Sequence, residues 1–341
     1  MSHPTMQDIA REAGVGVATV DRVINRRASV KPATELRVLN AAKKLGFVSD
    51  KLAAYPATVR LCRVGFILLD TGAEFYRQLS EQLRIQAGLA TGLTLTTEFV
   101  WLNVNATQAI AEAILTLGKR AEAIGIVAID NPLVNQAIDR VKEQGVRVYT
   151  LFSELTASGC AGYIGLDNRK AGRTAAWMIA RLSPRPGKIG ILLGDHRFLC
   201  QEISEISFRS WFREKAAGFD ILEPLRSYED DAVAEQATRK LLQETPDLVA
   251  LYVPSGGVEG VVQALLEAKR LHDRRLTVVC HGPIVSARRA LIEEVVDLFI
   301  WHPMAVLAEG ILKAIVEDVQ SEARGNQQRY LSFELMTVEN F

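Results

Sequence analysis

The chain has 341 residues, of which 48% are apolar and 23% charged, with a formal net charge of zero. That length holds two or three compact units, and that composition excludes a disordered, collagen-like or membrane-embedded chain. The charge is uneven: residues 1–60 hold ten Lys/Arg against five Asp/Glu, and the remaining 30 Lys/Arg face 35 Asp/Glu, so a head of +5 precedes a body of −5. A basic head on an acidic body suits a head that meets phosphate and a body that does not. Cys62, Cys160, Cys200 and Cys280 are far apart and form no Cys-x-x-Cys. They read as buried thiols of a reducing cytoplasm. Met1-Ser2-His3-Pro4 opens no apolar signal region, and no stretch is long enough to span a bilayer, so the expectation is a cytoplasmic protein without a membrane partner.

The first elements are two short helices around a tight turn. Thr5 can cap the first helix with Asp8 three residues on, the spacing of a capping box. Gly14-Val15-Gly16 breaks the helical pattern. A second helix follows from about Val17 to Asn25, with Val20, Val23 and Ile24 packing on Ile9, Ala10 and Ala13. Its outer face carries Val17, Ala18, Asp21 and Arg22, positions that share one side of a helix. A helix entering the major groove by its N-terminal end presents that side to base edges. Arg22 has the fork geometry for guanine, Val17 and Ala18 suit a thymine methyl, and Asp21 either accepts from a cytosine amino group or repels phosphate. After the basic loop Arg26-Arg27-Ala28-Ser29, Pro32 can open a third helix with Leu36, Leu39, Ala42 and Leu45 inward and Gly46 at its end.

These residues resemble the headpiece of the LacI/GalR family of bacterial transcription regulators. The resemblance runs in one register through Asp8-Ile9-Ala10, Ala13-Gly14-Val15, Ala18-Thr19-Val20 and Arg22-Val23-Ile24-Asn25. It continues through Val30, Thr34, Arg37-Val38, Ala41-Ala42 and Leu45-Gly46-Phe47. It implies an all-α three-helix, lambda-repressor-like helix-turn-helix headpiece over residues 1–48. Thr5, Thr19, Asn25, Arg26 and Thr34 would contact the DNA backbone, which sets register rather than sequence choice. Residues 49–60 are a linker. In the family this segment forms a hinge helix on DNA, with a leucine wedged into the minor groove. Here Leu52 and Ala53 lie in the matching stretch and Pro56 stands where that leucine would be. Proline ends a helix there, although proline also serves as a minor-groove wedge. A flexible linker is the other reading.

From Leu61 apolar runs alternate with helical patterns. Strands are expected over 62–69, 93–101, 123–129, 146–152, 161–165, 188–193, 219–225, 247–253, 276–280 and 296–300. Helices are expected over 75–90, 106–118, 132–144, 169–182, 203–217, 231–244, 257–270, 284–294 and 304–320. Such alternation means parallel sheets covered on both faces, here two doubly wound lobes binding ligand beyond the carboxyl ends of the strands.

Tyr163-Ile164-Gly165-Leu166-Asp167-Asn168 with Gly172-Arg173, Ser207-Phe208-Arg209 and His302-Pro303 resemble signatures of the family's effector domain. That domain is an α/β, two-lobed type I periplasmic binding protein-like fold, here residues 61–341, which also carries dimerisation. The resemblance implies that Phe75 and Tyr76 match an aromatic pair holding a sugar ring. Asp70, Asp130, Phe152, Ser153, Ser204, Ser255, His281 and Trp301 follow strands and would complete the effector cleft. The chain departs from pentose receptors: their acidic-basic pair reads Phe152-Ser153, their later arginine reads Ser204, their second-lobe asparagine reads Ser255, and His281 replaces a frequent aspartate. A small polyhydroxy ligand is expected, without assignment to ribose.

No strand leads into Gly-x-Gly-x-x-Gly, and neither Gly-x-x-x-x-Gly-Lys-Ser/Thr nor Gly-x-Ser-x-Gly occurs. Cys280-His281 and Trp301-His302 lack metal-ligand spacing. The chain is therefore read as no enzyme, with no catalytic residues, metal or cofactor. The reading is a ligand-responsive transcription regulator, a repressor by preference. It recognises pseudo-palindromic operator DNA as a homodimer and senses a sugar or sugar-like effector. The alternative is a sugar-binding receptor-type module without sequence-specific DNA function. Tyr330 to Phe341 shows no leucine heptad and hence no tetramerising tail.

Overall fold

The computed structural model describes residues 4–25, 27, 30, 32–47, 60–70, 74–90, 93–272, 275–321 and 327–341. The chain divides into two compact units, Met1–Val64 with Arg84–Thr97, and Gly65–Leu83 with Glu98–Phe341.

The N-terminal helices are α1 (Met6–Ala13), α2 (Val17–Asn25) and α3 (Pro32–Leu45). Thr5 caps α1: its hydroxyl accepts from the Asp8 amide at 3.3 Å, and the Asp8 carboxylate accepts from the Thr5 amide at 2.8 Å. Such a cap contributes about 1 kcal/mol. Gly14 closes α1 in the left-handed region at φ 64°, where a side chain would be strained. Ile9, Val20, Val23, Ile24 and Val38 are buried together, so one apolar stripe from each helix builds a single small core. Leu39 and Leu45 pack partly buried against it; the side chain of Leu36 lies outside the described residues.

The body contains two sheets. The first is built from β1 (Arg60–Leu69), β2 (Leu93–Leu102), β3 (Ala123–Ile126), β4 (Arg147–Leu151), β5 (Cys160–Leu166) and β12 (Gln327–Leu331), in the order β12-β5-β4-β3-β1-β2. The second contains β6 (Lys188–Leu193), β7 (Asp220–Ile221), β9 (Leu248–Val253), β10 (Thr277–Gly282), β11 (Leu298–Trp301) and β13 (Glu334–Met336), in the order β13-β11-β10-β9-β6-β7, with β8 (Leu225–Arg226) beside β6. Connecting helices are α4 (Glu74–Leu89), α5 (Thr107–Gly118), α6 (Pro132–Glu143), α7 (Asn168–Leu182), α8 (Leu199–Lys215), α9 (Asp231–Glu244), α10 (Val258–His272), α11 (Ala287–Ile292) and α12 (Met304–Gln320). β3 and β9 are buried at every position, and β4 at every position after its first residue Arg147, as expected of strands covered on both faces.

The chain passes from one sheet to the other after β5, after β11 and between β12 and β13. β12 pairs parallel with β5, and β13 antiparallel with β11. Neither tail strand is anticipated from the sequence, because Gln327-Gln328-Arg329 has no apolar run to mark it. Three other expectations change. The helix expected from 203 starts at Leu199, which draws Cys200, Gln201 and Ser204 into its first turns. The strand expected over 219–225 is split into β7 and β8, with Pro224, which lacks a ladder donor, between them. The helix expected from 284 shortens to α11, because Ser286 is tied by its amide and hydroxyl to the Glu259 carboxylate.

Candidate functional site

On α2, Val17, Ala18 and Arg22 are exposed and Asp21 is half-buried. They occupy one helix face, bared because the opposite face supplies Val20, Val23 and Ile24 to the core. Asp21 is not free: its carboxylate accepts from Asn25 Nδ2 at 2.6 Å and pairs with Arg27 at 3.1 Å. The Thr5 hydroxyl is engaged in the α1 cap. Thr19, Asn25 and Thr34 are partly exposed. Arg26, Leu52, Ala53 and Pro56 lie outside the described residues.

A cavity of about 240 Å³ opens at the carboxyl ends of the body strands. That is slightly below the usual range for small-molecule sites, about 300–1,000 Å³, and suits a small ligand. A smaller hollow of about 120 Å³ lies under α9 and α10, beside the start of β10, away from those strand ends. Of the residues expected in the cleft, Phe75, Tyr76, Phe152, Ser204, Ser255 and His281 line the larger cavity. Phe75 is the centre of the aromatic wall: its ring meets Tyr76, Phe152 and His302 edge-on at 5.0, 5.1 and 5.2 Å. Phe152 is held at φ 62°, where Tyr163 donates to its carbonyl at 3.1 Å.

Four expected residues are not in the lining. Asp70 is exposed outside it. Asp130 spends its carboxylate on the Thr156 amide at 2.8 Å, the Thr156 hydroxyl and Asn135. Ser153 is buried, its hydroxyl accepting from the Cys200 amide at 3.4 Å. Trp301 turns to the opposite face of β11, against Phe299 at 6.3 Å and Phe341 at 5.7 Å. Side chains alternate at a strand end, and it is the next residue, His302, that lines the cavity.

The polar floor is built largely from residues that sequence reasoning missed. Gln201 accepts from the Gly194 and Asp195 amides at 2.8 and 3.2 Å and donates to Glu229 at 2.7 Å. The other Glu229 oxygen accepts from the Gly256 amide at 3.0 Å. A Cβ on Gly194 or Gly256 would collide with this carboxylate, so both glycines leave room for it. Tyr228 and Glu229 stand at φ 53° and 62°, a conformation costing about 1–3 kcal/mol per residue that persists where surroundings enforce it. The Ser227 and Tyr228 amides donate to the Leu193 and Gly194 carbonyls at 2.7 and 2.9 Å. No local signal in Ser227-Tyr228-Glu229-Asp230 marks this turn. Asn168, by contrast, is legible, since it belongs to the Leu166-Asp167-Asn168 signature; it donates to the Tyr163 hydroxyl at 3.1 Å.

Burial, reinforced by neighbouring His302, pushes His281 down to about 3. Burial pushes His302 down to about 4, against the hydrogen bond it makes to the Gly282 carbonyl. Both rings are neutral at physiological pH, and because His302 Nδ1 faces a carbonyl it carries the proton there. His281 Nε2 lies 3.2 Å from the Tyr252 hydroxyl. Burial raises Glu229 from its ordinary value, opposed by its two hydrogen bonds, and raises the Cys200 thiol to about 12, leaving it unreactive. The wall can stack on the apolar face of a ring while the floor accepts from hydroxyls. No group of three or more His, Cys, Asp or Glu among the described residues is placed to hold a metal ion, and no helix there is long and apolar enough to cross a membrane.

Residues 64–323 match the model of the periplasmic binding protein domain, and residues 5–50 that of the bacterial regulatory proteins of the lacI family. Catabolite control protein A of Priestia megaterium is 40% identical over 76 residues, 22% of this chain and 23% of the relative, so the match spans less than a quarter of that protein. The HTH-type transcriptional regulator CelR of Thermobifida fusca is 28% identical over 265 residues, 74% of each chain. An ABC transporter solute binding protein from Burkholderia graminis, solved with D-arabinose, superposes with a TM-score of 0.74 at 17% identity, covering 83% of this chain and 97% of that one; it shares the fold. The chain belongs to the bacterial regulatory proteins of the lacI family, a helix-turn-helix headpiece followed by a periplasmic binding protein domain.

Proposed function

We propose that this chain is a ligand-responsive transcription regulator, acting in the cytoplasm as a repressor. It reads a pseudo-palindromic operator as a homodimer and binds a small polyhydroxy effector such as a sugar. One observation carries the reading: a single chain presents both an exposed face on α2 and a cavity with an aromatic wall and a polar floor. One short helix reads too few bases for genomic specificity, hence the dimer and the two-fold operator. Val17, Ala18 and Arg22 read bases; Thr19, Asn25 and Thr34 meet the backbone, and so, by the family pattern, does Arg26. Phe75, Tyr76 and Phe152 pack on the ligand, while Ser204, Ser255 and His281 bind its hydroxyls. The arabinose bound by the solute binding protein of like fold supports a polyhydroxy ligand.

Effector and operator then couple reciprocally: a ligand that favours one arrangement of the body over another changes operator affinity by the factor by which DNA changes ligand affinity. The test is selection of bound sequences from random DNA by the purified protein at fixed, near-physiological salt, repeated with a metabolite panel. A two-fold symmetric motif whose enrichment responds to one metabolite supports the reading. Binding without sequence enrichment in every condition overturns it in favour of a sugar-binding module without sequence-specific DNA function.

A further inference from the structure

The charges facing the effector cavity are all of one sign. Glu74, Glu229, Asp231 and Glu259 line it, and no lysine or arginine is among the lining residues. Glu74 is neutralised by Arg77. Among the described residues, Glu229, Asp231 and Glu259 have no ion-pair partner. The charged neighbours that bear on Glu229 are Asp195 and Asp231, both acidic. The nearby cation Arg197 is spent on Asp195, at 3.0 and 2.6 Å.

Glu229 is more than one member of an acidic cluster. Two consecutive left-handed residues deliver it, two glycines leave space for it, and Gln201 and the Gly256 amide hold its two oxygens in place. Each oxygen keeps a further lone pair for a donor arriving from the cavity. Burial makes its charge costly when unpaired.

We propose that this cavity selects its effector by charge: it takes a polyol, neutral or bearing a protonated amine, whose donors sit on Glu229, and it rejects phosphorylated and carboxylated sugars. The proposal deepens the effector reading above and rests on it. An anion in so small a cavity approaches an unpaired carboxylate within a few ångströms, which disfavours it by about a hundredfold or more against its neutral counterpart. Hydroxyl and ammonium donors share the chemistry that Glu229 recognises.

The test is calorimetric titration of the full-length protein with a matched panel: neutral aldoses and alditols, the corresponding amino sugars, and the corresponding phosphates and uronic acids. Neutral or amino members binding about a hundredfold tighter than their matched anions is the expected result. The difference between the two tells whether hydroxyl or ammonium occupies Glu229. Glu229→Gln should reduce the discrimination against anions by about tenfold, with Asp231→Asn as a second variant should the first fail to fold. Tightest binding by a phosphate or uronate overturns the charge rule and leaves the polyhydroxy effector standing. No binding by any member of the panel overturns the effector reading and this proposal with it. Unchanged discrimination in both variants shows that these carboxylates do not set it.

Discussion

Arg197, on the loop after β6, donates through Nη2 to the side-chain oxygen of Asn105, on the loop after β2, at 2.9 Å. The bond joins the two sheets of the body at the cleft. Asp195 orients the guanidinium through Nε and Nη2, and the Arg197 carbonyl lies 3.4 Å from the Asp130 amide. The Cys200 amide, donating to the Ser153 hydroxyl at 3.4 Å, makes a further such link.

Arg197→Ala should therefore loosen the closed cleft. The side chain is 43% exposed, so solvent screening limits the effect. A loss of about 0.5–1.5 kcal/mol in effector binding is expected, roughly two- to tenfold. Calorimetry with the effector and small-angle scattering without it check this. Unchanged affinity and unchanged scattering would show that the bond holds nothing closed.

Arg22→Ala should cost about 1–3 kcal/mol on the specific operator and relax the choice at one position per half-site. Quantitative binding to the operator and to its single-base variants measures both effects. Equal loss on specific and random DNA would reduce Arg22 to a phosphate contact.

Asp21 carries the only acidic side chain on the α2 DNA face, and Asn25 and Arg27 already occupy it. On the proposed reading, its carboxylate holds back a cation rather than accepting from a cytosine. Asp21→Ser should release Arg27, tighten all DNA alike and steepen the salt dependence by about one phosphate contact. A changed preference at one base pair, with unchanged general affinity, would instead mean direct readout.

The two cavity histidines make stability depend on pH. Their folded values, about 3 for His281 and about 4 for His302, lie below the ordinary 6.5. Protonation thus favours the unfolded chain: the stability is fully present above about pH 6.5 and is lost as pH falls toward 4 and then 3. Each histidine adds a slope of up to about 1.4 kcal/mol per pH unit in that window. His302→Asn keeps a donor for the Gly282 carbonyl and removes one titration. Its melting temperature should fall less between pH 7 and pH 5 than that of the unsubstituted protein, and an equal fall in both would place the pH dependence elsewhere.

The headpiece was legible because its determinants are local. The capping box of Thr5 and Asp8, the left-handed Gly14 and the stripe of Ile9, Val20 and Val23 all follow from spacing within one or two turns. The cavity was legible in part. Phe152, Ser255 and His281 could be named because each stands at the end of a strand that its apolar run announces, and Phe75 and Tyr76 from the family resemblance; Ser204 lines the cavity too, but from within α8. Trp301, expected in the cleft, lies one residue before the lining residue His302, since a side-chain period of two makes the last position of a strand decide which face a ring takes.

The sequence by itself determined the family, the two modules, which face of α2 is buried and which exposed, and most of the strands and helices, because short-range periodicity and turn chemistry set those. Only the tertiary structure decided that Glu229 and Gln201 form the floor, that Asp130 and Trp301 stay out of it, and that the last residues return as β12 and β13 to edge both sheets. The physical reason is that Glu229 is positioned by Gln201, Gly194 and Gly256, and β12 by β5 far earlier in the chain. Contacts between residues so distant in sequence leave no pattern in any single stretch of it.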